Sequence, residues 1–455
     1  MLPPWVPLLG IEGGFLNIVP VDYVVKAMDH IAHKPGLDGH CFHLTNPEHL
    51  RVGQVLNIFA RAASAPQFTL RIDARMFGFI PKGLRDGLMK LPPVRTIVDT
   101  MLRDLDIPRQ TLKFFNYPTR FDNRDAQKAL KGSGIDCPPL ADYAGHLWDY
   151  WERNLDPDLF RDRSLAGAVR GRIVLITGAS SGIGKAAALK IAAAGGHTLL
   201  VARTPEKLEE TKAEIEALGG KASIYQADMA EMASVDKLIA QVLKDHGRVD
   251  VAVNNAGRSI RRSVNLSYDR FHDFERTMQL NYFGSLRLIM GLLPSMVEQN
   301  RGQFINILSI GVQVNQPRFS AYVASKAALG AFSRCAQPEF HHNNIAFTNI
   351  YMPLVRTPMI APTKMYDHVP TLSPDDAADL ICRGIIERPK RIATRLGTFG
   401  EILWAIAPNI TNVMFNTTYR LFPDSAAAKG EKAGEAAPPS NEAVALAALT
   451  RGLHW

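Results

Sequence analysis

Residues 172–196, RIVLITGASSGIGKAAALKIAAAGG, constrain this chain more than any other stretch. A β-branched apolar run at 172–177 passes through a turn holding Gly178, Gly182 and Gly184 into an Ala-rich helical stretch at 185–194. Glycines in such a turn let the backbone come close to a bound pyrophosphate, which then rests on the positive end of the helix. A glycine pattern alone is a weak signal. This one follows a strand, opens a helix and lies in a βαβ unit, which is the context it requires. Ser180, Ser181 and Ile183 share the turn and are read with the glycines as contacts to that ligand.

The alternation continues downstream. Strands are expected at 197–202, 222–227, 249–253 and 303–308, with a charged amphipathic helix at 206–218 and a long helix around 274–296. Repeated βα units make an α/β fold: a Rossmann-type doubly wound parallel sheet with helices on both faces, expected over 171–424. Residues 1–120 read as a partial α/β segment, with a strand at 40–44 and a helix at 52–62. Residues 121–170 read as a helical linker, with a helical piece around 121–130 and the cluster Trp148, Tyr150 and Trp151. Residues 425–455 form a tail that is Ala/Gly/Glu/Pro-rich over 425–441, expected to be flexible.

A chain of 455 residues is long enough for roughly two to three domains. The formal net charge of +8 is compatible with a solvated basic surface, a phosphate-bearing cofactor or substrate, or an anionic membrane surface. Nucleic acid is not expected, because no Lys/Arg run is interleaved with aromatics. Cys41, Cys137, Cys335 and Cys382 form no CxxC pair, which argues against a disulfide framework and fits a reducing cytoplasm. His30, His33, His40, Cys41, His43 and His49 are irregularly spaced, so no metal site is expected. The first residues carry early prolines and no basic n-region, unlike a signal peptide. No apolar run reaches the ~18 residues of a spanning helix. A peripheral membrane contact through 402–422 and the basic-apolar stretch 71–103 stays open, against simple packing on the core.

Five features come in order: TGASSGIG, the turn Asn254-Asn255-Ala256-Gly257, Asn281, Ser309 and Tyr322-Val323-Ala324-Ser325-Lys326. Together they resemble the non-extended type of short-chain dehydrogenase/reductase over about 172–394. The resemblance implies Asn281, Ser309, Tyr322 and Lys326 as catalytic residues, with Tyr322 and Lys326 also on the cofactor. It implies cofactor contacts by Asn255, Ala256 and Gly257, and a proton-relaying water on Asn281. Elementary chemistry agrees. Hydride transfer to a carbonyl builds negative charge on oxygen, which needs a proton donor and hydrogen bonds placed in advance. Tyr322 is weakly acidic, with an unperturbed pKa near ~10. Lys326 falls on the same helical face one turn later, and its charge favours the tyrosinate. In isolation the two would be an ordinary i,i+4 pair. Ser309, at the end of the fifth strand, can hydrogen-bond the substrate oxygen.

Cofactor choice is read after the second strand, where an acidic residue would hold the NAD ribose and arginine accommodates a 2′-phosphate. This chain has Arg203, so NADP(H) is expected. Asp228 and Met229, after the third strand, are read as adenine-side contacts. After the sixth strand relatives usually carry Pro-Gly, whereas here Pro353-Leu354 precedes Val355 and Thr357, the expected nicotinamide contacts. Leu354 replaces a residue that gives backbone freedom.

NNAGRSIRRSVNLSYDRFHDFERTMQLNYFG, YMPLVRTPMIAPTKMY and RPKRIATRLG are similar to bacterial long-chain fatty acyl-CoA reductases of the wax-ester pathway. That likeness implies a long-chain acyl-CoA substrate reduced to fatty aldehyde, with no nucleophilic cysteine, and a homo-oligomer. Arg258, Arg261 and Arg262 are candidate contacts to CoA phosphates, equally readable as a solvated basic loop. Leu354 and the apolar segment 352–369 suit a lid over an acyl chain. An NADP-dependent keto/hydroxy dehydrogenase acting on a lipid would use the same four residues, and a non-catalytic scaffold is the third reading. Residues 1–120 resemble the late part of an extended-type fatty acyl-CoA reductase without its cofactor half. Tyr23 and Lys26 are one residue too close for YxxxK, so this segment is expected to be catalytically silent.

Overall fold

The computed structural model describes residues 8–12, 14–73, 120–156, 159, 162–360, 371–421, 424 and 428. The basic-apolar stretch beyond Asp73, the lid segment 361–369 and most of the tail lie outside these described residues. The chain forms two compact units, Met1–Arg161 and Asp162–Trp455.

The second unit is built on one seven-stranded sheet. In chain order its strands are β1 (Ile173–Thr177), β2 (His197–Ala202), β3 (Lys221–Gln226), β4 (Val251–Asn254), β5 (Gly302–Ser309), β6 (Ile345–Met352) and β7 (Arg391–Ile392). They lie side by side as β7-β6-β5-β4-β1-β2-β3, every pair parallel. The order reverses between β1 and β4, which opens a crevice at the C-terminal strand ends, where ligands bind in open α/β sheets. The expected strands agree with these to within about two residues.

The inner strands are apolar on both faces because helices cover both. Alternating side chains sort into two cores. Val174, Ile176, Val251, Ile305 and Ile350 face α1 (Gly182–Ala193), α2 (Pro205–Ala217) and α6 (Pro374–Glu387). Leu175, Leu199, Ala252, Phe304 and Leu308 face α3 (Met232–His246), α4 (Phe271–Glu298) and α5 (Ser320–Glu339). Two further helices, α7 (Arg395–Ile406) and α8 (Pro408–Leu421), close the unit.

The long helix α4 is not uniform. It runs as α-helix over Phe271–Met278, widens to a π turn over Gln279–Gly284, and resumes at Ser285. At Gly284 it presses on the main chain of Met229, and a Cβ there would overlap the Met229 carbonyl. Such π turns recur at functional sites. Here the turn carries Asn281, which is fully buried.

In the first unit, strand Leu8–Glu12 pairs parallel with Phe68–Asp73, and Phe15–Leu16 pairs antiparallel with Leu50–Arg51. Small cores form around Tyr23, Ala27 and Leu130, and around Val55, Leu140 and Ala144. The helix Val52–Ala62 is as expected. The expected strand at 40–44 is not formed, and that backbone is irregular. The reason is the chain just beyond it, which asparagine amides hold in place of a ladder. Asn17 Nδ2 donates to the Asn46 carbonyl at 2.8 Å, the Asn46 amide donates to Asn17 Oδ1 at 2.9 Å, and Asn123 Nδ2 donates to the Thr45 carbonyl at 3.1 Å. No described helix is long and apolar enough to cross a membrane.

Candidate active site

The glycine turn leaves β1 and enters α1 under tight packing. Gly178 has φ +69° and Gly182 φ +56°, both in the left-handed region that penalises a side chain. A Cβ on Gly178 would lie 3.0 Å from Asn255 Nδ2, and one on Gly182 would lie 3.2 Å from Thr357 Cγ2. At Gly184 a Cβ would overlap the Gly178 carbonyl and stand 2.6 Å from Asn255 Nδ2. The three glycines thus let the turn after β4 and Thr357 pack tightly around the N-terminus of α1, whose open amides suit a pyrophosphate-bearing cofactor. In the same turn Ser180 and Ile183 are half-buried, and Ser181 is exposed.

Thr177 ties this turn to the one after β4. Its hydroxyl accepts from the amides of Asn255 and Ala256, both at 3.0 Å, and donates to the Val253 carbonyl at 3.2 Å. Asn255 Nδ2 donates back to the Thr177 carbonyl at 2.9 Å. On the other side of the crevice Arg203 is exposed just beyond β2, and its carbonyl accepts from Gln226 Nε2 at 3.1 Å. After β3, the Asp228 amide donates to Ser234 Oγ at 3.0 Å and its carboxylate accepts from the Ala230 amide at 2.9 Å. Met229 is buried in the core, with its carbonyl against Gly284.

Of the four residues singled out for chemistry, Asn281 and Lys326 meet beside Gly257, Ser309 ends β5, and Tyr322 lies one helical turn before Lys326. Ser309 is the last residue of β5, registered against Met352 of β6, and its Oγ accepts from the Gly311 amide at 3.1 Å. Tyr322 and Lys326 stand one turn apart on α5. Lys326 is 3% exposed and donates from Nζ to the Ile307 carbonyl at 2.7 Å. Burial disfavours its charged form and pushes its pKa down to about 8. A Cβ on Gly257 would lie 3.1 Å from Asn281 Oδ1 and 3.2 Å from Lys326 Nζ, so a bare glycine lets the two approach one spot.

Asn281 braces this arrangement. Its Oδ1 accepts from the Arg258 amide at 2.9 Å, and its Nδ2 donates to the Arg258 carbonyl at 3.0 Å and to Ser325 Oγ at 2.9 Å. Ser325 in turn donates to the Tyr322 carbonyl at 2.7 Å. Reading by motif passed over Thr177 and Ser325. Both lie inside the quoted motifs, and the T of TGASSGIG and the S of YVASK were the available signals. A hydroxyl donor, a buried cation and a second hydroxyl at the end of a strand can together move a proton onto a developing oxyanion.

The candidate substrate residues divide. Arg258 is exposed and Arg261 half-buried. Arg262 has a side chain only 13% exposed, and it pairs at 3.4 Å with the buried Asp273. Arg270, His272 and Arg276 also face that carboxylate. Asp273 draws Arg262 inward because a buried carboxylate needs a partner. Leu354 keeps φ out of the left-handed region, so the residue that replaces glycine there is unstrained. Its carbonyl accepts from the Leu372 amide at 2.8 Å. Val355 is buried, and Thr357 rests against the glycine turn.

Residues 172–366 match the family model for short chain dehydrogenase. The chain is 60% identical over 274 residues to the fatty acyl-CoA reductase of Acinetobacter baylyi, spanning 60% of this chain and 91% of that protein. The chain belongs to the short-chain dehydrogenase/reductase family. Within the family it is also 43% identical over 245 residues to a fatty acyl-CoA reductase of Mycobacterium tuberculosis, covering 54% of this chain and 83% of that one. A metagenomic short-chain oxidoreductase, solved in complex with NADP, is 27% identical with a TM-score of 0.44, covering 50% of this chain and 98% of that one.

Proposed function

We propose that this chain reduces long-chain fatty acyl-CoA to fatty aldehyde with NADPH, using Asn281, Ser309, Tyr322 and Lys326. The observation that carries the substrate is the likeness to the Acinetobacter baylyi fatty acyl-CoA reductase along almost the whole of that protein. The site geometry supports the chemistry. NADPH, when bound, supplies hydride to the thioester carbonyl carbon. The Ser309 hydroxyl orients the carbonyl oxygen, and the Tyr322 hydroxyl gives that oxygen its proton as the charge develops, leaving a hemithioacetal. Lys326, buried beside Asn281, offers positive charge where the tyrosine loses its proton. The hemithioacetal then gives up its hydroxyl proton, the C–S bond breaks, and the CoA sulfur leaves with a proton as free thiol.

NADP over NAD rests on Arg203, exposed beyond β2 where a 2′-phosphate would lie. Gly178, Ser180, Ser181, Gly182, Ile183 and Gly184 hold the pyrophosphate in this reading, Asp228 the adenine, and Asn255 to Gly257, Val355 and Thr357 the nicotinamide side. Peripheral attachment to an anionic bilayer belongs to the same proposal. It is supported by exposed Ile402, Trp404, Ile406, Ile410 and Val413 on α7 and α8, in a stretch with no acidic residue from 402 to 421. Sedimentation with anionic vesicles at low salt tests it: absence of binding removes the attachment.

For the reaction, purified protein given NADPH and hexadecanoyl-CoA should release free thiol in step with cofactor oxidation. No thiol, with ready turnover of ketones or secondary alcohols, would replace this reading by a keto/hydroxy dehydrogenase.

A further inference from the structure

Beside the first turn of α5 lies a cavity of about 420 Å³ whose lining includes Val264, Gln316, Pro317, Arg318, Val323 and Tyr419. Its volume falls in the range of small-molecule sites. The cavity adjoins the candidate site at one point. A Cβ on Gly311 would stand 3.3 Å from Ser309 Oγ, 3.3 Å from Val323 Cγ2 and 3.7 Å from Gln316 Nε2. Ser320 and Val323 also flank Tyr322 on the first turns of α5. The wall made by Gln316 and Val323 is thus the one nearest Ser309, and Val264, Pro317, Val323 and the Tyr419 ring make much of the interior apolar.

The far wall, Tyr419, comes from α8, much later in the chain, and the Arg318 side chain ties it to the loop before α5. Arg318 is 8% exposed and has φ +70°, a conformation that costs a non-glycine residue about 1–3 kcal/mol. Its Nε donates to Asp424 Oδ1 at 3.0 Å and its Nη2 to the Tyr419 carbonyl at 2.9 Å. The guanidinium also sits 4.2 Å over the Tyr419 ring. Its own carbonyl accepts from the Arg262 amide at 2.7 Å, which joins the clamp to the loop after β4. A buried, strained arginine whose side chain bonds α8 and Asp424 just after it is placed to fix that helix against the cavity, which it also lines.

We propose that this cavity takes the methylenes of the acyl chain next to the reacting carbon, and that Arg318 is a positioning residue that sets the cavity's far wall and hence chain selectivity. This rests on the acyl-CoA reading. The occupant follows from proximity: Gln316 and Val323 line the cavity and stand, across Gly311, next to Ser309, so of the substrate's groups the one bonded to the carbonyl that Ser309 meets lies nearest this space.

The test compares butanoyl-, octanoyl- and hexadecanoyl-CoA in wild type, Arg318→Ala and Tyr419→Trp. Releasing the wall in Arg318→Ala should raise KM for hexadecanoyl-CoA about tenfold, the scale of two methylenes left in water, with KM for butanoyl-CoA unchanged. Tyr419→Trp keeps the backbone acceptor and Asp424 while filling the cavity, so it should shift preference toward the short chain even if Arg318→Ala does not fold. An equal loss at all chain lengths, or no change in either variant, overturns the proposal. Binding of hexadecanoyl-CoA and butanoyl-CoA measured without NADPH separates the two levels. Wild type that binds the long chain more tightly but releases no thiol fails the proposed reaction and leaves the cavity assignment standing. Wild type with no preference for the long chain fails the cavity assignment itself.

Discussion

Asn281, inside the π turn of α4, donates its side-chain amide to the Ser325 hydroxyl of α5 at 2.9 Å. Both side chains are fully buried. Because Ser325 spends its proton on the Tyr322 carbonyl, it can only accept from Asn281, which fixes the amide's orientation. The other amide proton and the oxygen are taken by the Arg258 main chain, so every polar atom of Asn281 has a protein partner.

Ser325→Ala should therefore act on both stability and turnover. It leaves one buried N–H unmatched, at a cost of about 1–3 kcal/mol, read as a lower denaturation midpoint. Turnover should fall as well, because the amide that braces the loop beside Lys326 is no longer held. An unchanged midpoint with unchanged turnover would show the hydrogen bond to be incidental.

Removing only the phenol oxygen probes the proton step. Tyr322→Phe should keep the fold and NADPH affinity while kcat drops by about 10²–10⁴, the usual contribution of a positioned proton donor. Retention of most activity would take Tyr322 out of the mechanism.

Lys326 predicts two pH dependences. Its pKa is pushed from 10.5 to about 8 by burial, so between these values the unfolded chain holds the proton and the folded chain does not. Stability contributed by this group is at its lowest below about pH 8 and rises toward pH 10.5. Denaturant midpoints of wild type minus those of Lys326→Met should climb across that window, and a flat difference refutes the assignment. If reduction needs the protonated lysine, kcat/KM should also show a basic limb near pH 8 in wild type.

Much of this architecture is readable from local pattern. Parallel strands covered on both faces appear as short, continuous apolar runs between turns, so β1, β2 and β5 stand out at 173–177, 197–202 and 302–309. The glycine turn, Tyr322 and Lys326 are equally local, because their spacing alone puts them on one helix end or one helix face. What depends on distant contacts is not readable in this way. The π turn under Asn281 ends at Gly284, which meets the carbonyl of Met229 far back in the chain. The irregular backbone at 40–44 borders a segment tied by amides of Asn17 and Asn123, which no period-2 pattern reports. Arg318 carries no motif at all, since its partners Tyr419 and Asp424 come from the far end of the unit.

Arg203→Asp tests the cofactor reading. Aspartate would repel a 2′-phosphate and hydrogen-bond a ribose hydroxyl, so the Kd for NADPH should rise while that for NADH falls or holds. Since Arg203 is exposed, stability should move by no more than about 0.5 kcal/mol. Equal weakening for both cofactors would make Arg203 a structural residue.

The arginines after the β4 turn should separate by burial. Arg258 is exposed, and its main chain, not its side chain, serves Asn281. Arg258→Ala should therefore leave the denaturation midpoint nearly unchanged and raise KM for acyl-CoA, most at low ionic strength, where a surface cation acts on phosphate with least screening. Arg262 is the opposite case. Its guanidinium and Asp273 are both largely buried, so Asp273→Asn strands a cation indoors and should cost about 3–5 kcal/mol. Replacing both members together, Arg262→Leu with Asp273→Leu, removes the pair without leaving either charge alone and should recover much of that loss. The double variant should also keep the wild-type KM for acyl-CoA. If instead its KM rises as much as that of Arg258→Ala while its midpoint recovers, Arg262 turns outward when substrate binds and returns to the substrate side of the site.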